Sequence, residues 1–121
     1  MNHSRLPVPG KIVSNRQLTN NHYLMTVNLP DPIMNPLPGQ FIMVMLNRRG
    51  EFFLGRPFSI YNYNRRRNKA VIDILYQVVG RGTRLMAELE RGDTLGIFGP
   101  HGKSFDMFPH ARNVILIAGG M

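Results

Sequence analysis

The chain has 121 residues, 43% hydrophobic and 18% charged, enough apolar material for one domain with a core and too much for a disordered tail. Fifteen Lys and Arg against seven Asp and Glu give a net charge of +8, which suits a polyanion, an anionic membrane surface or a phosphorylated ligand. The absence of cysteine excludes disulfides, thiolate metal sites, a cysteine nucleophile and cysteine-bound clusters within the chain. No apolar run is long enough for a signal peptide or a membrane helix, so a soluble cytoplasmic protein is expected.

Twelve Gly and nine Pro break the sequence into short apolar runs, which favours strands and turns over long helices. Lys11–Val13 and Tyr23–Leu29 read as strands, the second with Tyr23, Met25, Val27 and Leu29 alternating with Leu24, Thr26 and Asn28; Leu18–His22 between them is turn-like. Four prolines in Pro30–Pro38 exclude a helix or a central strand there. Phe41–Leu46 is continuously apolar and predicts a strand buried on both faces, followed by a polar turn over Arg48–Glu51. A hairpin is expected next, with one arm over Phe58–Tyr63, its tip at Asn64–Lys69 and its return over Val71–Val79, where Ile72, Ile74, Tyr76 and Val78 share one face. A single helix is predicted over Thr83–Glu90, with Gly92 as its left-handed terminator, then a strand over Thr94–Phe98 ended by Gly99-Pro100. The apolar run Val114–Ala118 leads into Gly119-Gly120, the usual opening of a phosphate-binding βα turn. The pattern predicts an all-β fold over residues 1–110, an antiparallel Greek-key barrel of six strands and one short helix. Residues 111–121 then begin a truncated α/β nucleotide-binding domain.

Two motifs point to chemistry. In Gly80-Arg81-Gly82-Thr83 the glycines admit close approach of a ligand to the backbone, and the first amides of the following helix lack partners, a setting that attracts phosphate. Arg81 and Arg84 stand at the positive end of that helix and Glu88 and Glu90 at the negative end, an inverted arrangement that makes sense if an external anion binds at the start. The bland alternative is a glycine-rich turn with exposed arginines, and Leu85 takes the place of the third glycine of a dinucleotide fingerprint. In Arg56-Pro57-Phe58-Ser59 a guanidinium on a stiff segment suits a pyrophosphate, with Phe58 as a flat face and Ser59 as a donor; the alternative is an ordinary strand start. Arg65-Arg66-Arg67-Asn68-Lys69 beside Tyr61 and Tyr63 also fits a basic barrel that binds single-stranded nucleic acid, although a solvated hairpin tip explains it better. His3, His22, His101 and His110 lack metal-ligand spacing, and no catalytic residue or metal site emerges, so any chemistry belongs to a cofactor.

Pro38-Gly39-Gln40-Phe41, Arg56-Pro57-Phe58-Ser59, Leu75-Tyr76-Gln77-Val78-Val79-Gly80-Arg81-Gly82-Thr83, Gly99-Pro100-His101-Gly102 and the apolar run into Gly119-Gly120 come in that order. From Lys11 onward the chain thereby resembles the ferredoxin-reductase-like flavoproteins, and within them the electron-transfer subunits of NAD-dependent dihydroorotate dehydrogenases. The resemblance implies a six-stranded barrel that holds FAD, an NAD domain after it, and an oxidoreductase that passes electrons between NAD and a catalytic dehydrogenase subunit of pyrimidine biosynthesis. It also implies site residues. Arg56 would pair with the pyrophosphate, Pro57 and Phe58 would lie near the flavin, and Ser59 would bond near its reactive nitrogen. Leu75, Tyr76 and Gln77 would line the cofactor, while Gly80, Gly82 and Thr83 would hold its phosphates. NAD and an iron–sulfur cluster belong to the full-length family, and without cysteine or a complete NAD domain this chain is expected to carry only the FAD half. A membrane partner is not expected.

Overall fold

The computed structural model describes residues 7–30, 34–106 and 108–120. In chain order it contains β1 (Val8–Gln17), β2 (His22–Leu29), β3 (Phe41–Arg48), β4 (Glu51–Ser59), β5 (Asn62–Arg66), β6 (Lys69–Gln77), α1 (Arg81–Ala87) and β7 (Thr94–His101). All strand pairs are antiparallel, in one sheet of order β4-β3-β7-β1-β2-β6-β5 that curls until β4 returns against β6. The expected all-β architecture with one short helix is present, with seven strands rather than six.

The additional strand is β4. Gly55 and Pro57 disguise it, since both weaken a strand interior. They are tolerated because β4 is an edge strand, and its pairing with β3 shifts register between Val44 and Leu46, close to Leu54 with its φ of 54°. The two strands are joined through Arg49-Gly50, both at positive φ as a tight hairpin turn requires, and the Gly50 N–H donates to Asn47 Oδ1 (3.1 Å). The arm expected over Phe58–Tyr63 is therefore divided. Phe58 and Ser59 pair with Ile42 and Phe41 in β3, and pairing with β6 begins only at Asn62. β3 is also not buried on both faces: Ile42, Val44 and Leu46 are enclosed, whereas Phe41, Met43 and Met45 lie half-buried on the outside. A single curled sheet has one interior, and β3 reads as continuously apolar because bulky neighbours such as His101, 5.5 Å from the Phe41 ring, shield its outer face.

β2 and β6 follow their alternation closely, pairing Tyr23 with Tyr76, Met25 with Ile74 and Val27 with Ile72 across the interior. β1 extends well beyond Lys11–Val13 and contains a register shift between Ile12 and Ser14. β7 continues through Gly99-Pro100, where an end was expected, because its last residue pairs with Phe41 of β3. Helix α1 begins two residues before Thr83 and is only seven residues long. The chain then turns over Glu90–Asp93, where the Glu90 N–H donates to Asp93 Oδ2 (2.7 Å) and Gly92, at φ 94°, donates to the Ile12 carbonyl (2.9 Å). Gly92 thus serves this later turn rather than the helix terminus. The core fills the sheet's concave side, with Met86 of α1 and Met34 of the proline-rich segment both buried with it. Tyr63 fixes the latter by donating its hydroxyl to the Met34 carbonyl (2.6 Å).

The strand expected over Val114–Ala118 does not form: these residues pair with nothing and are exposed, Leu116 and Ile117 by 90% and 92%. A strand needs a ladder, and the described residues offer this segment none. Part of the proline-rich stretch (residues 31–33) and His3 lie outside the described residues. Among those described, no helix is long and apolar enough to cross a membrane.

Candidate functional site

The ends of β4 and β6 and the turn into α1 surround a cleft of about 420 Å³, within the usual size range of small-molecule sites. All ten residues singled out in the sequence border it. Arg56, Pro57, Phe58 and Ser59 come from β4, Leu75, Tyr76 and Gln77 from β6, and Gly80, Gly82 and Thr83 from the turn and helix. Val79 and Arg81 complete the rim. The sequence carried a signal for both: Arg81 lies inside the glycine motif, and Val79, read there as the end of a strand, is instead 73% exposed.

The floor is the start of α1. The first helical hydrogen bond runs from the Arg84 N–H to the Gly80 carbonyl (2.9 Å), so the amides of Arg81, Gly82 and Thr83 precede the helical ladder. Gly80 at the N-cap has no side chain to serve them. The Thr83 hydroxyl braces the turn instead: it accepts from the N–H groups of Val79 (2.9 Å) and Gly80 (3.1 Å) and donates to the Gly80 carbonyl (3.1 Å). It is therefore committed locally, and what Thr83 offers a ligand is its backbone. Gly80 has an extended backbone that any residue can adopt, and a Cβ there would meet nothing within 4 Å. Neither strain nor packing calls for glycine at this position, and the bare backbone leaves the floor open. At Gly82 a Cβ would lie 3.6 Å from Cγ and Nε of Arg56, so the arginine stem rests on the first turn of the helix. The Arg56 guanidinium folds back with Nη1 donating to the Gly55 carbonyl (3.1 Å). Arg56 and Arg81 thus bring two cations to the rim beside the free amides. The inverted charge pattern is less complete than expected, because Arg84 falls in the last turn of so short a helix.

The apolar wall is formed by Phe58, Leu75 and the residues behind them. Tyr76 borders the cleft from inside the core, with its side chain 0% exposed, and so backs the wall. Its ring stacks on Tyr23 (5.6 Å) and meets Phe58 edge-on (6.1 Å), and its hydroxyl donates to Asn15 Oδ1 (2.9 Å). Burial pushes the Tyr76 phenol well above its usual 10.

The other candidates do not assemble a comparable site. Arg65, Arg66, Arg67 and Lys69 are exposed around the hairpin turn, and of the two neighbouring tyrosines Tyr63 is half-buried with its hydroxyl turned to Met34. A stacking platform interleaved with cations is therefore not formed, and the nucleic-acid reading has no support. His22 is engaged with the Thr19 hydroxyl (2.7 Å), and His101 packs between Phe41 and Phe98 with a buried Nε2 that has no partner among the described residues. No group of three metal-binding side chains occurs among the described residues.

Comparison with known proteins gives the fold and the family. The structure of the cytochrome b5 reductase domain of Ulva prolifera nitrate reductase superposes with a TM-score of 0.66 at 16% identity, covering 84% of this chain and 42% of that one, a likeness of fold. The electron transfer subunit of dihydroorotate dehydrogenase B (NAD(+)) from Caldanaerobacter subterraneus subsp. tengcongensis is 34% identical over 117 residues, 97% of this chain and 44% of the relative. The same subunit from Desulforamulus reducens is 32% identical over 112 residues, 93% of this chain and 42% of the relative. The chain thus spans less than half the length of these relatives. The family model described as the oxidoreductase FAD-binding domain matches residues 9–105, and the chain belongs to that FAD-binding family.

Proposed function

We propose that the cleft between β4, β6 and α1 is the FAD seat, and that the chain is the flavin-holding module of an electron-transfer subunit. One observation carries the reading: unpaired helix amides, two arginines and an aromatic wall converge in a single concavity of a chain that belongs to an FAD-binding family. The residues fit the cofactor. Backbone N–H groups of Gly82 and Thr83, with Arg56 above them, match a pyrophosphate. Phe58 and Leu75 offer a flat apolar surface to the ring system, Pro57 stiffens that edge, and Ser59 and Gln77 supply polar groups at its margin. The open backbone at Gly80 admits the ligand to van der Waals distance. Bound FAD supplies the redox chemistry, and the chain binds, orients and shields it.

The wider role rests on the relatives. Their names describe electron transfer subunits of an NAD-linked dihydroorotate dehydrogenase. On that reading this module passes electrons between NAD and a catalytic partner that oxidises dihydroorotate, in a hetero-oligomer serving pyrimidine biosynthesis. Residues 1–110 are then the FAD unit and residues 111–121 the start of an NAD-binding unit, which would bury the exposed Val114, Ile115, Leu116 and Ile117.

The visible absorption spectrum of the purified chain, with and without added FAD, tests the seat. A flavin band, with FAD rather than FMN released on denaturation, is expected. A colourless protein that leaves the FAD spectrum unchanged at every concentration overturns the assignment.

A further inference from the structure

Asn15 is not among the residues that line the cleft between β4, β6 and α1, yet it touches two of the structures that shape it. It stands opposite the fully buried Met25 of β2. It reaches that side only because of the register shift between Ile12 and Ser14; strict alternation from the buried Ile12 would send Ser14 and Arg16 inward and Asn15 out. Once there, its amide is bonded three times. Nδ2 donates to the carbonyls of Met86 (2.9 Å) and Leu89 (3.0 Å), and Oδ1 accepts from the Tyr76 hydroxyl (2.9 Å).

Each bond has a mechanical consequence. A seven-residue helix cannot sustain itself in water, so its orientation is set by what holds it. Met86 is in its last turn, where its carbonyl also accepts from the Leu89 N–H (3.1 Å), and Leu89 lies just beyond; by donating to both carbonyls Asn15 ties this end of the helix to β1. Fixing that end of a two-turn rod also fixes the other, where Gly80, Gly82 and Thr83 form the cleft floor. The third bond holds Tyr76, whose ring abuts Phe58 on the cleft wall.

We propose that Asn15 is a positioning residue for flavin binding, setting the floor of the seat through α1 and its wall through Tyr76. The proposal rests on the reading of the cleft as the FAD seat and adds to it a residue that does not contact the cofactor.

The test titrates FAD into the full chain and into its Asn15→Ala, Asn15→Ser and Ile97→Val variants. It reads the dissociation constant, the visible circular dichroism of the bound flavin and the melting temperature of the flavin-free protein. Ile97 pairs with Val8 at the opposite end of β1, and trimming it lowers stability without touching the Asn15 bonds. Asn15→Ala is expected to weaken FAD binding about tenfold and to change the flavin dichroism. Asn15→Ser, which keeps a donor and an acceptor, restores part of both, and Ile97→Val lowers the melting temperature alone. Wild-type affinity and dichroism in Asn15→Ala overturn the proposal, as does an equal loss of affinity in Ile97→Val. Should Asn15→Ala fail to fold, Tyr76→Phe decides: altered flavin dichroism is expected, and an unchanged spectrum and affinity overturn it. A wild-type chain that ignores FAD sinks the seat and this proposal together, whereas failure of the variants beside a wild type that binds FAD sinks this proposal only.

Discussion

The proposed FAD cleft and the β5–β6 hairpin are both rich in arginine and aromatic residues, and the chain gives them different surroundings. Around the cleft, Arg56 and Arg81 stand beside backbone amides that precede the helical ladder, in a concavity walled by Phe58 and Leu75. At the hairpin, Arg65, Arg66, Arg67 and Lys69 carry more charge but are open to solvent. Exposed cations in high dielectric attract anions weakly and without orientation. Two cations flanking fixed amides at the rim of a partly desolvated pocket select an anion by shape and by hydrogen-bond direction. The lesson is that a net charge of +8 does not locate a site; backbone groups left without partners do.

The sharpest way to break this comparison is to remove charge from each region in turn. Arg56→Ala is expected to weaken FAD binding by about 10- to 100-fold, the range for loss of charge-assisted hydrogen bonds. Arg65→Ala, Arg66→Ala and Arg67→Ala combined remove three times the charge and should leave FAD affinity unchanged. Titration of flavin fluorescence measures both, and normal retention of FAD by Arg56→Ala refutes the assignment of the pyrophosphate to that side of the cleft.

A smaller effect sharpens the contrast between what the fold needs and what a ligand needs. At Gly80 an added methyl meets nothing in the protein and the backbone is already extended, so Gly80→Ala should alter thermal stability little. With FAD against that backbone, the same methyl should cost about 1–2 kcal/mol of binding, roughly a 5- to 30-fold loss of affinity. Calorimetric melting of the free protein and an FAD titration separate the two. An unaffected FAD affinity would mean that the ligand does not approach the floor at Gly80.

The residues that border the cleft were legible for a simple reason: each lies in a local motif whose chemistry can be read without knowing the fold. Gly80-Arg81-Gly82-Thr83 signals free amides before a helix, and the alternation of Ile72, Ile74 and Tyr76 gives the β6 core face directly. What escaped the sequence depended on breaks in period. β4 was hidden by Gly55 and Pro57, which an edge strand tolerates. Asn15 was hidden by the register shift in β1, which moves an odd-numbered residue to the side its neighbours' pattern assigns to even ones. Tyr76 answers to two readings at once. Its family resemblance puts it at the cofactor and its periodicity puts it in the core, and a buried side chain that borders the cleft is compatible with both.

Tyr76 also supplies the smallest prediction, and one that separates cleft wall from core by pH. Its folded phenol titrates above the usual 10 because burial disfavours the phenolate. A group whose pKa is raised by folding contributes stability that is complete below its unfolded value and is lost as pH rises above it. Titration of Tyr76 should therefore give stability no pH dependence near neutrality and should lower it as pH climbs past 10. Tyr76→Phe cannot ionise and should lose less over the same interval, even though at pH 7 it is the weaker protein by about 1–2 kcal/mol, having left Asn15 Oδ1 without its donor. Denaturant midpoints for both proteins at pH 7 and across pH 9–11 measure the difference. Parallel curves would place the alkaline loss on other groups and show that the Tyr76 hydroxyl is not held in the core as its bond to Asn15 requires.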